Sequence, residues 1–174
     1  MRRIYQLLQK VERPLFLHVN IRWNRSALNG LFHALSIIGG ATFSLTFSLL
    51  FAAFAPEPWN TVGWQAFAAI VLSHIPVAVA KRSAPRLRPH QELANINTNR
   101  KPLKDPSFPS GHTTAAFALL TPWALANPVL LPVLLPIGIG VALSRIYFGL
   151  HYPSDTLAGA LLGSSTALLA SLWI

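Results

Sequence analysis

Six histidines occur in this chain, and two of them stand among residues that could use an imidazole. His112 closes Pro109-Ser110-Gly111-His112, and His151 lies four residues before Asp155 in Ser144-Arg145-Ile146-Tyr147-Phe148-Gly149-Leu150-His151-Tyr152-Pro153-Ser154-Asp155. Upstream, Lys81-Arg82-Ser83-Ala84-Pro85-Arg86-Leu87-Arg88-Pro89 supplies cations. This set suits a reaction on an anionic group. The cations hold a phosphate, one imidazole attacks it, and the other protonates what leaves.

The two histidines divide these roles by their neighbours. Asp155 is within reach of His151 across one helical turn. By accepting one ring N–H it would fix the tautomer and stabilise the imidazolium, which makes His151 the expected nucleophile. His112 opens an apolar, helix-like run, beside free backbone N–H groups that Ser110 and Gly111 leave open to an anion. It is the expected general acid. Lys81, Arg88 and Arg145 come from three places and can surround the non-bridging oxygens, the arginines as bidentate forks. Arg82, Arg86, Arg100, Lys101 and Lys104 are expected only to orient the chain at a membrane surface. His74, inside an apolar tract, is expected to be a packed histidine.

Metal chemistry is the rival. The chain has no cysteine and five carboxylates in all, with no paired acidic motif. Two-metal hydrolysis needs several such ligands. The expectation is covalent histidine catalysis with no metal site and no cofactor.

These residues need elements to position them. Hydrophobic residues make up 52% of the chain and charged ones only 11%, which leaves long apolar tracts. Five of these approach the roughly 20 residues that cross a bilayer: 27–54, 61–80, 111–126, 129–147 and 156–174. Pro132 and Pro136 predict a kink or a shortened helix in the fourth. Ile4, Leu7, Leu8 and Val11 recur at helical spacing among basic residues, which predicts an amphipathic helix lying in the interface. Residues 1–26 then form an interfacial segment and 81–110 a polar active-site loop. The expected fold is all-α: one membrane-embedded domain over 1–174, a bundle of about five transmembrane helices. No secretory leader is expected, because no apolar core follows the basic start promptly.

The net charge of +9 raises the question of nucleic acid. Its distribution answers no. With five spans, all 14 Lys and Arg fall on one face, beside both histidine motifs. That face suits anionic lipid headgroups, and no nucleic-acid-binding motif is present.

Taken together, Lys81 with Arg88-Pro89, then Pro109 to His112, then Ser144-Arg145 with His151 and Asp155 resemble the three-part signature of the type 2 phosphatidic acid phosphatases. That superfamily includes bacterial acid phosphatases and vanadium haloperoxidases. The resemblance covers about 81–155, with the parts in order and at the family's internal spacings. It implies a helical bundle and a phosphohistidine intermediate on His151, with Asp155 as its partner and His112 as general acid. By position it assigns Lys81, Arg88, Ser110, Gly111 and Arg145 to phosphate binding.

The expected activity is hydrolysis of a lipid phosphomonoester or diphosphate: phosphatidate, phosphatidylglycerophosphate, or a polyprenyl diphosphate such as undecaprenyl diphosphate. The alternative is a non-enzymatic anionic-lipid binder or transporter on the same basic face. A haloperoxidase fits poorly with membrane spans. The expected location is multi-pass in the plasma (inner) membrane, with the active face cytoplasmic by the charge rule.

Overall fold

The computed structural model describes residues 2–98 and 103–174, the first six of these through their backbone. Arg100 and Lys101 lie outside the described residues, as do the side chains of Ile4 and Leu7. Eight α-helices follow one another, and no strand occurs among the described residues. They are α1 (Arg2–Leu17), α2 (Ser26–Ile38), α3 (Ala41–Phe54), α4 (Trp59–Ser83), the single turn α5 (Pro89–Glu92), α6 (Gly111–Ala126), α7 (Leu131–Tyr147) and α8 (Pro153–Trp173). The all-helical membrane fold expected from the sequence is the one observed.

The helix α1 is amphipathic. Leu8, Val11 and Leu15 are exposed, while Glu12 and Phe16 beside them are buried. A wide π-helical turn, His18–Arg22, then buries Val19 and Asn20. Asn20 works as a clasp. Its side-chain nitrogen donates to the carbonyls of Asn97 and Tyr147, each at 2.8 Å, and its oxygen accepts from the Asn97 backbone at 2.9 Å. The N-terminal segment, the polar loop and the end of α7 therefore meet at one end of the bundle.

The first apolar tract is not one continuous helix. It bends by 55° between α2 and α3, at Gly39-Gly40. A Cβ on Gly39 would lie 2.6 Å from Val141 and 2.7 Å from the His112 carbonyl oxygen. Glycine there lets the bend press against the start of α6. Apolar residues on both sides of the bend hide it from a hydropathy reading.

Three segments are long and apolar enough to cross a membrane: α4, Pro128–Tyr147, and α8; the bent pair α2–α3 makes a fourth if counted as one span. The second of these is α7 extended by a short 3₁₀ turn, and it runs through Pro136 without a break. With 16 residues, α6 spans roughly 24 Å, short of the hydrocarbon thickness. It is the inner helix. Its small and apolar residues Ala118 and Leu119 pack with Ala66, Ala69 and Ile70 of α4 and with Ala167 and Ala170 of α8. A second cluster, Phe16, Val19, Phe32, Ile146, Tyr147 and Tyr152, seals the end where the polar loop sits.

Candidate active site

Each candidate side chain comes from the end of an element. Lys81 lies in the last turn of α4, where a cation opposes the helix dipole favourably. Arg88 precedes α5, and Ser110 caps α6 by accepting from the Thr113 backbone N–H. Gly111 begins α6 with open space where a Cβ would stand. Arg145 closes α7. His151 follows a tight reversal: Gly149, at φ +67°, lets Leu150 and His151 both return N–H bonds to the Arg145 carbonyl, at 3.0 and 3.2 Å. Pro153 opens α8, and Asp155 sits in its first turn.

The structure gathers these ends. His151 is buried, with Nε2 3.0 Å from an Arg88 guanidinium nitrogen. That arginine also donates to the Leu150 carbonyl at 2.8 Å. The Ser110 backbone N–H donates to the Asp155 carbonyl at 3.0 Å, joining the start of α6 to the start of α8. His112 is close enough to Arg145, His151, Arg88 and Lys81 to feel their charges. It shares with Arg145 one end of a cavity of about 850 Å³. The cavity continues past Ile37, Phe43, Phe47 and Leu50, along the apolar side of the bent helix pair.

The tautomer of His151 is held differently from the sequence expectation. Its Nδ1 lies 2.7 Å from the Ser107 carbonyl oxygen and 3.8 Å from Asp155 Oδ2. The carbonyl is therefore the acceptor, and the carboxylate acts one step further out. Asp155 Oδ2 accepts from the Ser107 hydroxyl at 2.6 Å and from the Tyr152 N–H at 2.8 Å. With Nδ1 protonated, the Nε2 lone pair faces Arg88 and accepts from its guanidinium. Burial lowers the His151 pKa to about 4; Asp155 works against the shift, while Arg88 and Arg145 add to it. The imidazole is neutral near pH 7, as a nucleophile must be.

The cations differ in how they are satisfied. Asp105 is ion-paired with Lys81 and, at 2.9 Å, with Arg88. Burial works to raise the Asp105 carboxyl, but the two cations outweigh it and hold it below the usual carboxylate range. Arg145 is different. Its guanidinium is 3% exposed, donates to the Ser36 hydroxyl, and has no carboxylate partner among the described residues. Its Nε is buried without any partner. A buried charge left unpaired is costly, so an arginine in this state beside a cavity marks a place for an anion.

Four contributors escaped the sequence reading. Ser107, Glu12 and Ser36 carried no motif that would mark them. Arg86, expected merely to orient the chain, is a buried ion-pair partner of both Glu12 and Asp155. Among the described residues, no three His, Asp or Glu side chains cluster as a metal-ligand set.

Known proteins match this arrangement. A family model described as the PAP2 superfamily matches residues 62–174, more than half of the chain. The decaprenylphosphoryl-5-phosphoribose phosphatase of Mycobacterium tuberculosis is 34% identical over 111 residues, covering 64% of this chain and 58% of that protein. The lipid A 1-phosphatase of Rhizobium etli is 30% identical over 115 residues, covering 64% and 50%. The chain thus spans about half the length of these relatives. An undecaprenyl-diphosphatase of Sulfolobus acidocaldarius is 31% identical over 156 residues, covering 86% of this chain and 73% of that one. Among solved structures, LpxE of Aquifex aeolicus superposes with a TM-score of 0.83 at 24% identity, covering 93% of this chain and 95% of that one. A phosphatidylglycerolphosphate phosphatase of Bacillus subtilis gives 0.78 at 20% identity, covering 96% and 86%. At these identities the two structures speak for the fold. The motif residues in their order, the fold and the family match agree, and the chain belongs to the PAP2 superfamily.

Proposed function

We propose that this protein is a membrane lipid phosphate phosphatase that works through a phosphohistidine on His151. The observation that carries the proposal is Arg145: a buried guanidinium without an acidic partner among the described residues, lining an apolar cavity together with His112. An anionic headgroup beside Arg145 and an alkyl or prenyl chain along Ile37, Phe43, Phe47 and Leu50 would satisfy both parts. Neither Ser36 nor the solvent supplies the missing charge.

In this reading Lys81, Arg88 and Arg145, with Ser110 and the N–H groups opening α6 at Gly111, hold the phosphate oxygens. Phosphate entering between Lys81 and Arg88 displaces Asp105, and Arg88 gives up the Nε2 lone pair. His151 Nε2 then forms a bond to phosphorus while the bond from phosphorus to the lipid oxygen breaks. His112 delivers a proton to that oxygen. Water next attacks phosphorus, giving its proton to His112. The P–N bond breaks, returning its electron pair to Nε2 and releasing phosphate. Ser107 and Asp155 keep Nδ1–H in place throughout. The charge on the equatorial oxygens is stabilised by groups already fixed, which is where phosphoryl transfer gains most.

The substrate class is a membrane lipid phosphomonoester or diphosphate, with phosphatidate, phosphatidylglycerophosphate and polyprenyl diphosphates as the candidates. The relative that covers most of the chain favours the last of these. The protein is proposed to sit in the inner membrane with its site on the cytoplasmic side, following the basic residues. The test is phosphate release by purified protein across these lipid phosphates in mixed micelles. Turnover of at least one, lost in His151→Ala, is expected. Binding without release from any of them would identify a lipid binder instead.

A further inference from the structure

Neither Glu12 nor Arg86 is a position of the three-part signature, although Arg86 stands between Lys81 and Arg88, and Glu12 lies outside the residues that match the family model. Both side chains are nonetheless almost completely buried, 4% and 8% exposed. Arg86 divides its guanidinium between two elements. One terminal nitrogen pairs with Glu12 of α1. The other donates at 2.8 Å to both the Ser154 hydroxyl and Asp155 Oδ1 in the first turn of α8. Glu12 completes the loop by accepting from the Ser154 hydroxyl and, at 3.4 Å, from its backbone N–H. The plane of the guanidinium is fixed from one side by the Tyr152 ring, 4.2 Å away, and that ring packs in turn on Phe16 of α1. Surface cations that merely orient a membrane protein have no such partners.

From here the contacts lead to the reacting atom. Asp155 holds Ser107 through its hydroxyl, and the Ser107 carbonyl holds His151 Nδ1. We infer that Glu12 and Arg86 are positioning residues for the hydrolysis, setting the Asp155 carboxylate that keeps His151 aligned, so that α1 is a working part of the catalytic centre. This rests on the reading of His151 as nucleophile. Arg86 is suited to the task because its fork engages two carboxylates and a hydroxyl at once; a lysine offers a single charged nitrogen. Because α1 also exposes Leu8, Val11 and Leu15, the helix joins an apolar outer surface to this buried pair.

The test compares Glu12→Gln and Arg86→Lys with the native protein, each also made in an Asp155→Asn background, by steady-state phosphate release. Arg86→Lys should lower kcat about 10- to 100-fold and Glu12→Gln about 10-fold, as for other groups that orient a reacting ligand at one remove, with KM within about twofold. In the Asp155→Asn background the further loss should shrink to about twofold or less, because the residue through which they act is gone. Multiplicative losses in that background would overturn the inference. So would a KM that rises in parallel with the fall in kcat, or an Arg86→Lys protein lacking a cooperative thermal transition in detergent, either of which marks the pair as scaffold. Full activity in both variants alongside an inactive His151→Ala would refute the inference while leaving the nucleophile in place. An active His151→Ala would instead refute the reading on which it rests.

Discussion

Arg145 is the residue whose surroundings say most about use. It keeps a buried charge, with a serine hydroxyl as its one hydrogen-bond partner among the described residues. Removing that charge should therefore have opposite effects on stability and on function. Arg145→Met is expected to raise the thermal midpoint of the substrate-free protein, a gain of about 1 kcal/mol, while lowering kcat/KM by about 100-fold or more. Thermal unfolding and steady-state kinetics on the same preparation would check it; a lower midpoint with kcat/KM intact would contradict it. The second residue-scale expectation concerns pH. His151 is lowered to about 4, chiefly by burial, so its neutral form persists well below the ordinary histidine range. Corrected for the substrate's own ionisation, kcat/KM should show no loss from His151 between pH 7 and 5 and should fall through about pH 4. An acid limb near 6.5, matched by titration of the His151 ring at the same pH in NMR, would show the imidazole to be solvated instead. At this scale the residues that sequence reading singled out by motif are ones that the structure brings together. The structure gathers Lys81, Arg88, Ser110, Gly111, His112, Arg145, His151 and Asp155 at one end. Sequence reading worked poorly for residues defined only by partners distant in sequence. The fourfold spacing of His151 and Asp155 suggested direct contact, but the Ser107 carbonyl, from a loop 44 residues away, accepts the Nδ1–H hydrogen bond instead. Arg86 looked like an orienting cation because Glu12 is 74 residues away.

At the scale of elements, the bend between α2 and α3 sets the floor of the cavity. It depends on close contact at Gly39. Gly39→Ala places a Cβ against Val141 and the His112 carbonyl, so one helix must shift; overpacking of this kind costs about 1–3 kcal/mol. Gly30, in the middle of α2, has nothing within 4 Å of a Cβ, and Gly30→Ala should stabilise by about 0.5–1 kcal/mol through helix propensity. The two substitutions should therefore move the thermal midpoint in opposite directions, with kcat reduced only in Gly39→Ala. Equal midpoints and equal kcat would remove the bend from the account. The bend was illegible in the sequence because hydropathy cannot distinguish one long apolar helix from two at an angle. The helix α1 was legible, because its period showed in Leu8 and Val11, although the buried role of Glu12 did not.

For the whole molecule, the end that carries the site also carries the basic loop and the inner side of α1. That convergence was readable from the charge distribution, and the Asn20 and Arg86 contacts now give it a physical form. Sidedness follows if the bent pair and the short α6 each cross once, giving five crossings and opposite sides for the site and Ile174. A reporter fused after Ile174 should then be active outside the cytoplasm, with a fusion before α1 active inside. Cytoplasmic activity from the Ile174 fusion would overturn the assignment. The central claim, however, is the covalent step at His151. Its most direct test is rapid acid-free quenching of a single turnover with substrate labelled in the scissile phosphate, followed by mapping of the label. The account predicts alkali-stable, acid-labile phosphate on His151, approaching one per active site when His112 is substituted to slow its release, and none in His151→Ala. Phosphate release at full rate with no label on the protein at any time would contradict it.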